Sequence, residues 1–127
     1  MKNIIVRNTS QTAIYQQLFD QISAQIIHGE LKPDEALPSI RTIAKALQVS
    51  IITIKKTWEL LEANGFIYTI KGKGSYVKNH TKDSLIHKKR EAVKKILNHA
   101  LHDISEYQLS KEELLTIVDE LYDDMKS

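Results

Sequence analysis

Phe66-Ile67-Tyr68-Thr69-Ile70-Lys71-Gly72-Lys73-Gly74-Ser75-Tyr76-Val77 is the stretch whose reading decides the fold. Its first five residues are β-branched or aromatic, Lys71 to Gly74 is a turn, and Ser75-Tyr76-Val77 resumes β character, which predicts a two-stranded hairpin with a basic tip. What precedes the hairpin defines its role. Ser50 caps a helix in which Ile54, Trp58 and Leu61 share one face up to a stop at Asn64-Gly65. Before it, Ser39 caps a shorter helix with Ile40, Ile43, Ala44 and Leu47 turned inward, ending near Gln48-Val49. Two helices joined by about three residues make a helix-turn-helix, and a hairpin directly after one is a wing.

Further out on the N-terminal side, Ile14, Leu18, Ile22 and Ile26 recur every fourth residue between Gln11 and His28, with Phe19 and Ile27 widening the stripe into a helical face. Thr9 or Ser10 is expected to cap its start, and Gly29 to end it in the left-handed conformation. Leu31 to Pro38 holds two prolines and reads as a connecting loop. On the C-terminal side the helical pattern returns from Thr81, with Ile86, Val93, Leu97, Ala100 and Ile104 on a near-heptad face and Leu101 beside it. After a break near Tyr107-Gln108, Ser110 and Glu113 form a capping-box pattern opening a helix with Leu114, Leu115, Val118, Leu121 and Tyr122. The fold class is therefore mainly α with a small β-hairpin: an N-terminal winged helix-turn-helix over residues 1–78 and a C-terminal two-helix region over 79–127, with a polar boundary from Lys78 to Ser84. Two helices of this length have too little surface to bury alone, so Ile86, Val93, Leu97, Leu101, Ile104, Leu114, Val118 and Leu121 are expected to pack against a second copy or against the first domain, dimerisation being the more economical reading.

Composition narrows the function. The chain has 127 residues, 42% of them hydrophobic and 27% charged, enough for one compact domain with a helical appendage but too short for a multidomain enzyme. It has no cysteine, which excludes disulfides, thiolate metal sites and cysteine nucleophiles and makes a reducing cytoplasm the expected location. The apolar run at Ile4-Ile5-Val6 is too short for a signal peptide and no stretch approaches the length of a membrane span, so neither secretion nor membrane insertion is expected. The net charge of +2 conceals an asymmetry: residues 1–79 carry ten basic against six acidic residues, and residues 80–127 eight against ten. The basic excess thus lies with the winged region, as a polyanion-binding surface requires.

A helix-turn-helix reads DNA by inserting the start of its second helix into the major groove. That start is Ser50, Ile51, Ile52 and Thr53, followed by Lys55 and Lys56, which lie off the apolar stripe. Ser50 and Thr53 can donate to phosphates, and Thr53, Ile51 and Ile52 can meet thymine methyl groups. Each residue also has a simpler reading: a serine that only caps, isoleucines that pack against a neighbouring helix, lysines that are merely solvated. Trp58 reads as core. Ser39 and Arg41 open the first helix, and the Arg41 guanidinium matches a guanine edge or a phosphate unless it pairs with Glu35. Lys71, Gly72 and Lys73 form the wing tip. His99 and His102, three apart on one helix, have the spacing of a metal pair, but no third ligand is set by sequence, and neither a metal nor another cofactor is expected.

Six pieces of this chain, in this order and spacing, resemble the DNA-binding domain of GntR-type regulators: Ala13 to Leu18, Gly29 to Pro33, Leu37 to Arg41, Val49 to Lys55, Leu60 to Gly65 and Gly72 to Val77. The likeness covers roughly residues 11–78, and the short two-helix tail is similar to the YtrA subfamily. The resemblance implies a dimeric regulator, often a repressor of a neighbouring transporter operon. It implies base or phosphate contacts by Arg41, Ser50, Thr53 and Lys55, with Lys71, Gly72 and Lys73 at the minor groove. Two departures stand out: Ile51 and Lys55 occupy positions where arginine is frequent in the family, so operator sequence does not carry over with the fold. The tail leaves little room for an enclosed effector pocket, and an unknown small-molecule effector would have to use a dimer interface.

The expected function is therefore sequence-specific binding of a double-stranded, pseudo-palindromic operator by a homodimer acting as a transcriptional repressor. A winged-helix module that binds protein instead of DNA is the alternative. An enzyme is disfavoured because no nucleophile stands with a base at motif spacing and no glycine loop opens a helix.

Overall fold

A computed structural model describes Met1 and residues 3–126, without the Lys82 side chain; Lys2 and Ser127, which the expected domain ranges include, lie outside the described residues. The chain forms two compact units, Met1–Ile86 and His87–Ser127. In order along the chain the elements are α1 (Ile14–Ile27), α2 (Ile40–Leu47), α3 (Ile51–Ala63), β1 (Ile67–Ile70), β2 (Gly74–Val77), α4 (Lys82–Ile104), a 3-10 turn at Ser105–Tyr107, and α5 (Lys111–Lys126).

The core of the first unit is assembled from one face of each helix. Leu18, Ile22 and Ile26 from α1, Ile43 and Ala44 from α2, and Ile54, Trp58 and Leu61 from α3 are buried together with Leu31, Leu37, Phe66, Ile67 and Val77. The four-residue recurrence in α1 thus faces inward, and Trp58 is core, as the apolar stripe of its helix predicts.

All three helices of this unit end alike. After α1, Gly29 takes φ +80°, its N–H donates to the Ile26 carbonyl, and the Glu30 N–H donates to the Gln25 carbonyl. After α3, Gly65 takes φ +74° with the equivalent bonds from Gly65 to Glu62 and from Phe66 to Leu61. These are Schellman endings, which satisfy carbonyls that the helix leaves open. The end of α2 uses the same bonds, from Gln48 to Lys45 and from Val49 to Ala44, but places a glutamine at φ +56° where glycine would be unstrained.

The start of α1 departs from expectation. Its N-cap is Ala13, which makes no side-chain cap, and the Ser10 hydroxyl instead accepts from the Thr12 N–H within the preceding turn. Thr9 and Ser10 therefore do not cap this helix. The segment before it is held laterally: Gln21 accepts from the Ile5 N–H at 2.8 Å and donates to the Ile5 carbonyl at 2.7 Å, and Gln17 does the same for Arg7 at 2.9 and 3.0 Å. Two amides one helical turn apart match the two-residue repeat of an extended chain, so α1 binds this segment as a neighbouring strand would.

β1 and β2 pair antiparallel, with Ile67 opposite Val77 and Ile70 opposite Gly74. The connecting segment before α2 is more than a loop. Ala36 forms a β-bridge with Tyr76, while Asp34 N–H donates to Val77, Leu37 N–H to Ser75, and Val77 N–H to Glu35. β2 is thus bonded along both edges. The sequence hides this because the two prolines that interrupt helix also leave few residues for a recognisable strand pattern.

In the second unit, α4 runs through the heptad-patterned segment, Gln108 turns the chain at φ +53°, and α5 starts with the predicted capping box. The Glu113 N–H donates to the Ser110 hydroxyl at 3.1 Å, and Glu113 Oε1 accepts from the Ser110 N–H at 3.2 Å. None of the described side chains of this unit is buried; Lys88, Ala92, Ala100, Ile104 and Leu114 are half-buried and the others exposed.

Candidate nucleic-acid interface

α2 and α3 are joined by Gln48, Val49 and Ser50, and both begin with the same device. Ser39 Oγ accepts from the Thr42 N–H at 3.1 Å and donates to Thr42 Oγ1 at 2.7 Å. Ser50 Oγ accepts from the Thr53 N–H at 3.1 Å and lies 2.7 Å from Thr53 Oγ1. A cap of this kind is worth about 1 kcal/mol. Ser39 and Ser50 are therefore engaged in the helix starts, and both stay exposed.

With Ile54, Thr57, Trp58 and Leu61 buried, the opposite side of α3 is fixed by helical periodicity. Ile52 stands on it at 78% exposure, and Ile51, Lys55 and Lys56 are exposed as well. Thr53 is half-buried and paired with Ser50, while Thr57 closes onto the Thr53 carbonyl at 2.9 Å. Among the described residues Ile52 belongs neither to the core nor to the hydrophobics packed against it. Lys56 is a different case: its ammonium lies 3.9 Å from the centre of the Tyr15 ring of α1, a cation–π contact absent from the sequence reading. Glu59 and Glu62, also exposed, follow in the second half of α3. They place negative charge in the second half of the helix, which the signs of the side chains alone show.

Arg41, the second residue of α2, is exposed. Among the described residues no ion pair joins it to Glu35, whose carboxylate accepts from the Lys32 N–H at 3.1 Å. Its guanidinium is on the surface, as the filled inward positions of that short helix predict.

The wing tip is Lys71, Gly72 and Lys73, all exposed, closed by a hydrogen bond from the Lys73 N–H to the Ile70 carbonyl at 2.9 Å. Gly72 takes φ +80°, which makes glycine the unstrained choice in this tight turn. The hairpin is tied to the body at its base. Tyr68 stacks on Tyr76 with ring centres 5.5 Å apart, and its hydroxyl donates to Asp34 Oδ1 at 2.8 Å, so the bond crosses from β1 over β2 to the segment before α2. That hydrogen bond to a carboxylate, helped by desolvation and by the negative charge, raises the Tyr68 pKa above its ordinary value. Asp34 and Tyr68 were not singled out by sequence, since 34 residues separate them.

Ile86, the last residue of the first unit, is exposed; on the second unit Val93, Leu97 and Leu101 of α4 and Val118 and Leu121 of α5 are exposed, whereas Ile104 and Leu114 are half-buried. Ile96, Ile117 and Met125 extend these exposed apolar faces beyond the residues the sequence pattern selects. His99 and His102 are exposed on α4, and no group of three or more histidine, cysteine or acidic side chains among the described residues could hold a metal ion.

The family described as bacterial regulatory proteins, gntR family, matches residues 14–77, from the first turn of α1 to the end of β2 and just over half of the chain. The chain belongs to the GntR family. Its winged helix-turn-helix is that of a transcriptional regulator, and the family is not one of enzymes. Among the relatives of this GntR protein, the HTH-type transcriptional repressor YtrA of Bacillus subtilis is 30% identical over 117 residues, covering 92% of this chain and 90% of that protein. The likeness thus includes the C-terminal helices as well as the winged region. YtrA from Sulfolobus acidocaldarius, a GntR-family transcription factor, is 35% identical and covers 78% of this chain and 97% of that structure with a TM-score of 0.60. A transcriptional antiterminator from Listeria monocytogenes is 29% identical, covering 98% of this chain and 93% of that one with a TM-score of 0.72. No helix among the described residues is long and apolar enough to cross a membrane.

Proposed function

We propose that this GntR regulator is a cytoplasmic repressor that acts as a homodimer on a pseudo-palindromic DNA operator. The observation that carries the reading is Ile52: an isoleucine 78% exposed, outside the core among the described residues, on the helix that a winged helix-turn-helix inserts into the major groove, where it fits thymine methyl groups. Around it, Ser50, Ile51, Thr53 and Lys55 supply the base-edge and phosphate contacts, Ser39 and Arg41 approach from α2, and Lys71, Gly72 and Lys73 follow the minor groove. Lys56 reaches the phosphate backbone beside them.

Dimerisation rests on the second unit. Its large aliphatic side chains stand in water in the single chain, Leu97 at 53% and Leu121 at 56% exposure, and a second copy covers such a face most economically. Two recognition helices then reach successive major grooves about 34–36 Å apart. Similarity to the B. subtilis repressor YtrA over nearly the whole chain supports repression, with domains at 1–78 for DNA and 79–127 for dimerisation. The subfamily likeness makes a neighbouring transporter operon the target to examine, and the dimer interface is the place left for an effector.

The test is fluorescence anisotropy on a duplex from the upstream region of the gene against a scrambled duplex, in a salt series. Preference of about a thousandfold with a steep salt dependence, lost in the Arg41→Ala, Lys55→Ala double variant while fold and dimer persist, is the expected result. Absence of duplex binding at low salt would leave the protein-interaction alternative.

A further inference from the structure

We propose that Tyr15 is a positioning residue for DNA binding: its ring holds the Lys56 ammonium, 3.9 Å from the ring centre, in place for a phosphate of the duplex. The proposal rests on the reading of Lys56 as a phosphate contact.

Tyr15 is half-buried in the first turn of α1, directly after Ile14, which packs against the core, so its ring is anchored by the body of the domain. Lys56 is exposed one helical turn beyond Ile52 on α3, past the turns that read base edges, where a helix leaving the groove passes the sugar-phosphate chain. A lysine at such a position has a flexible four-carbon stem, and fixing it on a phosphate costs rotamer entropy. An aromatic face under the ammonium confines it before DNA arrives, and because the ring engages only one side of the cation, N–H donors remain for a phosphate oxygen.

The ring also decides which partner the ammonium takes. Glu59 lies three residues further along α3, within side-chain reach of Lys56, and pairing with it would draw the charge along the helix and neutralise it. Among the described residues no ion pair forms between Lys56 and Glu59; the lysine lies on α1's ring instead. Tyr15 therefore keeps Lys56 as a usable cation at the edge of the recognition helix.

The test uses the full chain and a fluorescein-labelled mixed-sequence duplex across a chloride series, because phosphate contacts are independent of sequence. Lys56→Ala is expected to reduce the salt slope by about one per protomer. Tyr15→Leu is expected to weaken binding about two- to fivefold, Tyr15→Phe to match the parent chain, and Tyr15→Leu to add nothing in the Lys56→Ala background. Thermal melting of each variant checks that the fold is kept. An equal loss from Tyr15→Leu with and without Lys56 would overturn the positioning role, as would a Tyr15→Phe variant as weak as Tyr15→Leu. If Lys56→Ala leaves both affinity and slope unchanged, Lys56 does not meet a phosphate, and the role of Tyr15 falls with that contact.

Discussion

Replacing Ile52 by alanine should move stability and DNA binding in opposite directions. The side chain is 78% exposed, so truncation removes almost no buried contact from the folded chain. Alanine is the better helix former, and at this exposed position in the first turn of α3 the exchange should leave stability unchanged or raise it by at most about 0.4 kcal/mol, the difference for a helix interior. On the operator the balance reverses. Truncation removes three carbons; at about 0.8 kcal/mol per buried CH2, complete burial against thymine methyls would set a ceiling of about 2.4 kcal/mol per protomer. One side of the residue still faces the helix and the groove water, so about 1 kcal/mol is expected, which is about fivefold for one recognition helix and about thirtyfold for a dimer. No phosphate contact is lost, so the salt slope and the affinity for mixed-sequence DNA should stay as they were. The assay is anisotropy titration of an operator selected from a randomised duplex library, with thermal denaturation of the same preparation. Unchanged operator affinity would refute the thymine contact, and a loss accompanied by a lower melting temperature would show that Ile52 serves packing instead.

Gln48→Gly should stabilise the first unit by about 0.5 kcal/mol, because relief of the left-handed conformation at φ +56° exceeds the added freedom of the unfolded chain. The melting temperature should rise by about 2–4 °C. Leu97→Glu, which places a charge on the exposed apolar face of α4, should shift the chain from dimer to monomer in light scattering while leaving the melting of the first unit in place. Asp34→Asn should lower the pH at which Tyr68 ionises, followed by ultraviolet difference absorbance. The sign follows from the raised pKa: the Tyr68–Asp34 bond contributes fully below the unfolded tyrosine pKa, and that contribution is lost as pH rises through the folded one. A variant with the parent titration would show that the bond does not set the ionisation.

Much of this protein is local and therefore legible in the chain itself. Ser39 and Ser50 cap α2 and α3, Gly29 and Gly65 end α1 and α3, and Gly72 turns the wing, because each choice depends on the φ, ψ or hydrogen bonds of a few adjacent residues. The expected cap at Thr9 or Ser10 failed for a related reason: the segment before α1 is held by Gln17 and Gln21 from the side, through contacts between residues 10 and 16 positions apart that have no adjacent signature. Exposure of Lys55 followed from the period of the apolar stripe, which says which residues leave the core but not what they touch.

The amino-acid order thus determined the winged helix-turn-helix, the two C-terminal helices and the likeness to GntR regulators, since periodicity, caps and turns act over less than about a dozen residues. Only the tertiary structure decided that the segment around Ala36 pairs with the second edge of β2, that Asp34 accepts from Tyr68, and that Lys56 lies over Tyr15. These pairs join residues 34 to 41 positions apart. Nothing in their own neighbourhoods distinguishes them; they meet because burial of Leu18, Ile54, Leu61, Ile67 and Val77 in one core brings their elements side by side.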